Sequence, residues 1–165
     1  MSKSMIVILM GSKSDLPVVS TTIDCLRDFG VEAVPRVLSA HRTPDEAHDF
    51  ACSAEKEGIE VIIAAAGKAA HLGGVLAAYT VLPVIGLPIK SSTMDGLDSL
   101  LSIVQMPSGI PVATVAINGG ENAALLAVQI LAIKYDELNK KLKEFKKTMR
   151  ENVLKANDAL IEEIK

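Results

Sequence analysis

The apolar residues of this chain form short unbroken runs that alternate with segments of helical periodicity. Residues 5–10 are a continuous apolar run that ends at Gly11, which predicts a buried strand followed by a turn. Across residues 18–29 apolar side chains recur at helical spacing until Gly30, and Asp15 is the predicted N-cap. The first two elements are therefore expected to be a strand and a helix.

The same strand-then-helix unit recurs as far as residue 135. Further strands are predicted at 31–38, 59–66, 84–87 and 111–117, and further helices at 44–58, 69–79, 97–106 and 121–135. Pro83 and Pro111 should open their strands, because proline cannot donate to a central ladder. This alternation predicts right-handed crossovers. We therefore expect an α/β fold: a three-layer α/β/α sandwich with a flavodoxin-like, five-stranded parallel sheet.

The last thirty residues have a different character. Residues 136–165 are rich in charge and predict an amphipathic helix with a narrow apolar stripe, formed by Leu138, Leu142, Phe145, Met149 and Val153. We expect residues 1–135 to be the flavodoxin-like domain and residues 136–165 to be a C-terminal helix that packs on a neighbouring subunit of a homo-oligomer. The pattern alone is equally consistent with a helix that folds back on its own domain.

Composition narrows the classes of partner. A net charge of −3 provides no overall attraction to nucleic acid or anionic lipid, so we expect a small-molecule partner, no nucleic acid and no membrane. The apolar runs are shorter than the roughly 18 residues of a membrane span. Cys25 and Cys52 are expected to be buried free thiols, which, together with an N-terminus that lacks a secretory pattern, predicts a cytoplasmic protein. With three histidines and no Cys/His cluster, no metal is expected.

Polar residues follow three of the predicted strands. In open parallel sheets ligands bind outside the carboxyl ends of the strands. The first cluster, residues 11–15, contains Ser12, Ser14 and Asp15 at the start of a helix, where backbone N–H groups favour a phosphate. It lacks the glycine patterns of nucleoside triphosphate and dinucleotide sites. Taken alone, it is more simply explained as an ordinary turn and N-cap.

The second cluster, residues 39–43, contains side chains that are better suited to binding and catalysis. The Arg42 guanidinium can fork onto phosphate oxygens, and the neighbouring His41 imidazole suits proton transfer near neutral pH. A lone histidine at a strand end is usually structural, but His41 lies among Ser39, Arg42 and Thr43 with no apolar face to bury it. We therefore favour a functional role for His41.

The third cluster contains His71 at the end of a run of small residues, 64–70. Such a run lets a flat ligand approach the backbone closely. A histidine that is hydrogen-bonded locally at a helix N-terminus explains His71 equally well. We expect His48 to be exposed on the second helix and assign it no role.

Taken together, these segments resemble the N5-carboxyaminoimidazole ribonucleotide mutase family of purine biosynthesis, the bacterial-type class of the aminoimidazole ribonucleotide carboxylases. The resemblance covers residues 5–135. Its markers are the strings GSKSD at 11–15, SAHRTP at 39–44, AAHL at 69–72, DSLLSIVQMP at 98–107, PVAT at 111–114 and NAALLA at 122–127. The chain departs from the family's loop pattern at Lys68, where the family has glycine, and at Gly73, where it has proline.

The resemblance implies an octamer with active sites at subunit junctions, and no metal, ATP or organic cofactor. It implies that Ser12 and Arg42 bind the phosphate of a ribonucleotide, that Asp15 binds its ribose and that His41 is the acid/base. The remaining residues expected at the substrate site are Ser14, Ser39, Gly67, Ala70, His71 and Leu72. The implied reaction moves a carboxylate from the exocyclic nitrogen of the imidazole ribonucleotide to ring carbon C4.

Two other functions compete with this interpretation. A sister class carboxylates aminoimidazole ribonucleotide directly with CO2, but its members carry lysine at the position of Arg42 and lack the string AAHL. The other candidate is a non-catalytic flavodoxin-like module, either an FMN carrier or a phospho-ligand sensor. The scarcity of aromatic residues, 3% of the chain, argues against FMN.

Overall fold

The computed structural model describes residues 6–164 and contains one five-stranded parallel sheet. The strands are β1 (Ile6–Met10), β2 (Ala33–Val37), β3 (Val61–Gly67), β4 (Val84–Ile89) and β5 (Ala113–Thr114). The helices are α1 (Leu16–Asp28), α2 (Pro44–Ser53), α3 (Leu72–Tyr79), α4 (Leu97–Val104), α5 (Gly120–Leu131) and α6 (Asp136–Glu163). A single 3₁₀ turn, Lys13–Asp15, precedes α1.

The sheet has the strand order β2-β1-β3-β4-β5, which confirms the predicted flavodoxin-like α/β fold. The reversal of strand order falls at β1, which pairs with β2 on one side and β3 on the other. Strands β1, β3 and β4 are buried along their length except for the half-buried Gly67, as expected for a parallel sheet with helices on both faces. The carboxyl ends of β1 and β3 therefore meet at a topological switch point, where such sheets bind ligands.

Helices cover the two faces of the sheet in separate groups. One core cluster joins Leu9 and Ile62 of the sheet to Phe50 of α2, Leu76 of α3 and Ile103 of α4. On α1, Val19 and Leu26 are completely buried. The buried Thr22 hydroxyl of α1 donates to the carbonyl of Gly120 at the start of α5 (3.0 Å), which ties these two helices together.

The prolines in and before the strands lie at positions where the hydrogen-bond ladder of the sheet does not require the N–H group that proline lacks. Pro83 and Pro111 precede β4 and β5, as predicted. Pro35 lies within β2, which is an edge strand. Pro88 lies within β4, and its carbonyl accepts from the Asn118 amide (2.8 Å), so its backbone polar groups face the β5 side, where β5 pairs only with Ile85 and Gly86.

The chain divides into two compact units, and the boundary between Val128 and Gln129 lies inside α5. The first contains the whole sheet and helices α1 to α4. The second contains α6, in which Leu138 and Leu142 of the apolar stripe are buried whereas Met149 and Val153 are 52% and 70% exposed. The division at residue 135 that the sequence suggested stays a prediction.

The two cysteines differ from their expected state. Cys25 is half-buried, and burial, assisted by Glu121 and Asp28, raises the pKa of its thiol to about 11. Cys52 is exposed, so the expectation of a buried thiol is wrong there. The reason is that Cys52 lies on the outer side of α2, whereas the neighbouring Ala51 is buried in the core.

Candidate functional site

A cavity of about 590 Å³ opens at the carboxyl edge of the sheet. Its walls are the loops that follow β1, β2, β3 and β4. Among the predicted site residues it is lined by Ser12, Ser14, Asp15, Ser39, His41, Arg42, Gly67, His71 and Leu72. Ala70, the remaining predicted residue, is buried with 1% of its surface exposed and does not line the cavity.

The first wall is the 3₁₀ turn after β1, which is built as a capping box. The Ser12 hydroxyl accepts from the amide of Ser14 (3.3 Å) and from its hydroxyl (2.8 Å). The Asp15 carboxylate accepts from the amide of Ser12 (3.1 Å). The two serine hydroxyls are thereby held at the N-terminal end of α1, a position that favours an anion.

Asp15 is the one buried carboxylate of this wall, with 7% of its surface exposed. Burial raises its pKa above the ordinary value of 3.8, although the Ser12 amide, the Ser14 hydroxyl and the Arg42 charge each act to lower it. Its carboxylate is an acceptor that faces the cavity and suits the hydroxyl groups of a sugar.

The second wall is a tight turn after β2. Ser39 and Thr43 close this turn, since the Thr43 amide donates to the Ser39 carbonyl (2.9 Å) and the Ser39 amide donates to the Thr43 hydroxyl (2.9 Å). Within it, the Arg42 guanidinium donates to the Gly11 carbonyl (2.7 Å) and to the Ser39 hydroxyl (3.4 Å). The guanidinium is thus fixed against the first loop, next to the serine hydroxyls.

Two histidines from different loops are in contact across the cavity. Nε2 of His41 lies 2.8 Å from Nδ1 of His71, and the ring centroids are 5.0 Å apart in an edge-to-face arrangement of 76°. At this distance one of the two nitrogens carries a hydrogen and the other accepts it. The structure therefore brings together the two histidines that the sequence placed 30 positions apart.

The third wall is the loop from Gly67 to the start of α3. Lys68 has a φ of +56°, in the left-handed region that favours glycine. Gly73 lies in the first turn of α3 and is buried rather than in the loop. Leu72, the first residue of that helix, is buried and contributes apolar surface to the cavity.

The loop after β4 forms a fourth wall that the sequence analysis missed. Lys90, Ser91 and Ser92 line the cavity. The Lys90 ammonium pairs with Asp95 (2.6 Å), and the Ser91 hydroxyl donates to the Asp98 carboxylate (2.8 Å). The predicted strand ended at residue 87, two residues short of the observed end of β4, so the polar residues behind it were not assigned to a strand end. The signal was the continuous run 84–89 followed by lysine and two serines.

Other groups lie away from the cavity. His48 is exposed on α2, as expected, and meets the Tyr79 ring edge-on at 4.6 Å. Within residues 6–164, no group of three or more His, Cys, Asp or Glu side chains is arranged to hold a metal ion. Over the same range, no helix combines the length and apolar character needed to cross a membrane.

Comparison with known proteins agrees with this architecture. A profile of the family described as AIR carboxylase matches residues 5–152. The N5-carboxyaminoimidazole ribonucleotide mutase of Pyrococcus abyssi is 62% identical over 143 residues, which are 87% of this chain and 82% of that protein. The phosphoribosylaminoimidazole carboxylase of Saccharomyces cerevisiae is 54% identical over 154 residues, 93% of this chain but 27% of that protein.

A solved structure is similar over nearly the whole chain. The crystal structure of Treponema denticola PurE superposes with a TM-score of 0.82 at 29% identity, covering 91% of this chain and 94% of that one. Fold and cavity together define a flavodoxin-like α/β protein with a pair of contacting histidines at the carboxyl edge of its sheet. The chain belongs to the AIR carboxylase family.

Proposed function

We propose that this protein is an N5-carboxyaminoimidazole ribonucleotide mutase, which forms 4-carboxy-5-aminoimidazole ribonucleotide in the biosynthesis of purines (IMP). The observation that carries the proposal is the placement of His41, beside Arg42, in contact with His71 across one cavity. Similarity supports it, since relatives that bear this name are 54% to 62% identical and this chain covers 82% to 94% of their length.

The cavity has separate places for the two ends of a ribonucleotide. Ser12, Ser14 and Arg42 lie together at the α1 end, where hydroxyl, amide and guanidinium donors suit a phosphate. In this proposal Asp15, whose carboxylate is bound to the Ser12 amide beside them, accepts from the ribose hydroxyls. The imidazole base then extends towards His41 and His71.

His41 can perform both proton transfers of the rearrangement. In the first step protonated His41 gives its proton to the exocyclic nitrogen, the nitrogen–carboxyl bond breaks with its electron pair on nitrogen, and CO2 is released. In the second step the enamine-like C4 attacks that CO2 and forms a carbon–carbon bond. Neutral His41 removes the hydrogen of C4 as a proton, which restores the aromatic ring and the starting state of the enzyme.

CO2 must stay beside C4 between the two steps. Ala66, Ala69 and Leu72 form an apolar part of the wall next to His71. These three side chains present no hydrogen-bonding group of their own and leave less room for water beside C4, which helps to keep the gas within reach of that carbon. His71 is a positioning residue in this scheme, because its contact with Nε2 fixes the orientation of the His41 ring.

The alternative is direct carboxylation of aminoimidazole ribonucleotide with CO2. It is favoured by relatives named phosphoribosylaminoimidazole carboxylase, which are 51% to 54% identical but of which this chain spans only 27%. Offering the two substrates separately distinguishes the two reactions. Purified protein is offered the carbamate or free aminoimidazole ribonucleotide with ordinary bicarbonate, and product absorbance is followed. The mutase turns over the carbamate; turnover of aminoimidazole ribonucleotide alone would contradict the proposal.

We further propose that the protein is a cytoplasmic homo-octamer whose active sites lie at subunit junctions, and that residues 136–165 pack on a neighbouring subunit. Support comes from the apolar stripe of α6, which continues through the exposed Met149 and Val153. An apolar stripe that stays exposed in one chain is typical of an interface.

A further inference from the structure

Lys68 has a backbone conformation that is unfavourable for any residue other than glycine. It follows Gly67 at the end of β3 with a φ of +56°, where a residue other than glycine costs about 1 to 2 kcal/mol. Residues held in such conformations cluster at functional sites, where the surrounding structure fixes them. Here the Ser102 hydroxyl of α4 donates to the Lys68 carbonyl (3.5 Å), and Lys68 is one of the residues that line the cavity.

The cationic side chains of the cavity are not equivalent. Arg42 is bound to the Gly11 carbonyl, and Lys90 is paired with Asp95 at 2.6 Å. Within the described residues, 6–164, Lys68 forms no ion pair. Lys68 is therefore an exposed lysine of the cavity lining whose charge no carboxylate of this part of the chain neutralises.

The positions of these cations match a ligand with two anionic ends. Arg42 is held against the first loop, with the serine hydroxyls. Lys68 belongs instead to the loop that carries His71, three residues further on, and His71 contacts His41 at 2.8 Å. The carboxylate that moves from nitrogen to C4 lies at the His41 end of the substrate, whereas the phosphate lies at the other end.

We propose that the Lys68 ammonium binds the migrating carboxylate and makes the site prefer carboxylated over uncarboxylated ribonucleotide. This inference rests on the proposed function and adds the residue that discriminates between its ligands. The four-carbon stem of lysine is flexible, so one ammonium group can follow the carboxylate from the exocyclic nitrogen to C4. The attraction is that of a partly exposed ion pair, which salt weakens.

Equilibrium binding tests the inference without requiring turnover. The probes are 4-carboxy-5-aminoimidazole ribonucleotide and 5-aminoimidazole ribonucleotide, which differ only in the carboxylate. For Lys68→Met we expect affinity for the first to fall about five- to tenfold, as for a loss of about 1 kcal/mol. Affinity for the second should change less than twofold, and Lys68→Arg should keep the preference of the wild type.

Lys56→Met is the matched control, because it removes an exposed lysine that does not line the cavity. Its ratio of the two affinities should equal that of the wild type. An unchanged ratio in Lys68→Met, or an equal loss for both ligands, would overturn the role of Lys68 and leave the proposed function standing. Failure of the wild type to bind either ribonucleotide would contradict the proposed function and this inference with it.

Discussion

At the scale of single residues, Asp15 carries a conflict between stability and binding. Its carboxylate is buried, and burial raises its pKa above 3.8, so the folded state binds the proton more tightly than the unfolded state does. The contribution of Asp15 to stability is therefore fully present below pH 3.8 and is lost as the pH rises from 3.8 through the higher pKa of the folded state. At neutral pH the ionised form of Asp15 therefore lowers the stability of the fold. Its presence in the cavity is explained by a ligand that needs a strong hydrogen-bond acceptor.

Asp15→Asn should separate these two effects. At pH 7 we expect the free energy of unfolding to increase, because a neutral amide avoids the burial of a charge, and we expect the gain to shrink as the pH falls towards 3.8. Ribonucleotide binding should weaken by about 1.5 to 3 kcal/mol through loss of a charged acceptor. Denaturant unfolding across pH and titration calorimetry measure the two quantities.

Asp45→Asn is the control for this experiment. Asp45 is exposed in the first turn of α2, where a negative charge favours the helix, so its removal should not stabilise the protein. If Asp15→Asn lost stability at pH 7 as Asp45→Asn does, the account of Asp15 as a destabilising buried charge would be wrong.

At the scale of elements, α3 and α1 both begin with leucine and differ at the second residue of the helix. Helix α1 begins Leu16-Pro17, and α3 begins Leu72-Gly73. A proline in the first turn of a helix is tolerated, because the amide it lacks has no intrahelical partner. A Cβ at Gly73 would make only van der Waals contacts, at 3.4 Å with Val112 and 3.7 Å with Ala64.

Gly73→Pro should therefore stabilise the protein by about 0.4 to 1 kcal/mol, since it restricts the unfolded chain at a position that the folded chain accepts. Ala77→Pro, inside the same helix, should cost about 3 kcal/mol or more. Chemical denaturation compares both variants with the wild type. A loss of stability in Gly73→Pro comparable to that in Ala77→Pro would show that this turn does not have the geometry of α1.

The elements show how far a periodic pattern determines structure. Strands β1, β3 and β4 were predicted within two residues at each end because each is an apolar run buried on both faces. Strand β5 was predicted at 111–117 and spans only Ala113–Thr114. The length of an edge strand depends on how many residues of its neighbour pair with it. Only Ile85 and Gly86 of β4 pair with β5, and this limit cannot be deduced from the sequence of β5 itself.

Site residues were predictable to the extent that they follow a strand. The three clusters that end β1, β2 and β3 all reach one cavity, because parallel strands deliver their carboxyl ends to the same edge. The contact between His41 and His71 was not predictable, since it depends on how two loops are folded. The same holds for the left-handed backbone at Lys68, where the side chain gives no sign of a positive φ.

At the scale of the whole molecule, the exposed apolar stripe of α6 predicts assembly. We expect the mass in solution to be eight times the 17.5 kDa of one chain. Val153 is 70% exposed, so Val153→Glu should leave the fold intact and shift the population to smaller species, because it places a charge in the interface. Lys155→Glu, which adds negative charge at a neighbouring exposed position of α6, should keep the octamer.

Light scattering coupled to size exclusion measures these masses. A wild-type mass of one chain would contradict the octamer. An unchanged mass in Val153→Glu would remove the α6 stripe from the interface.

The central claim is that His41 moves the proton in both steps while other groups hold the ribonucleotide. The measurement that tests it most directly is the turnover of the carbamate by the wild type and by His41→Asn, with ribonucleotide affinity determined for both. We predict that turnover falls by about two orders of magnitude or more while the ribonucleotide still binds. Near-normal turnover by His41→Asn would contradict the account.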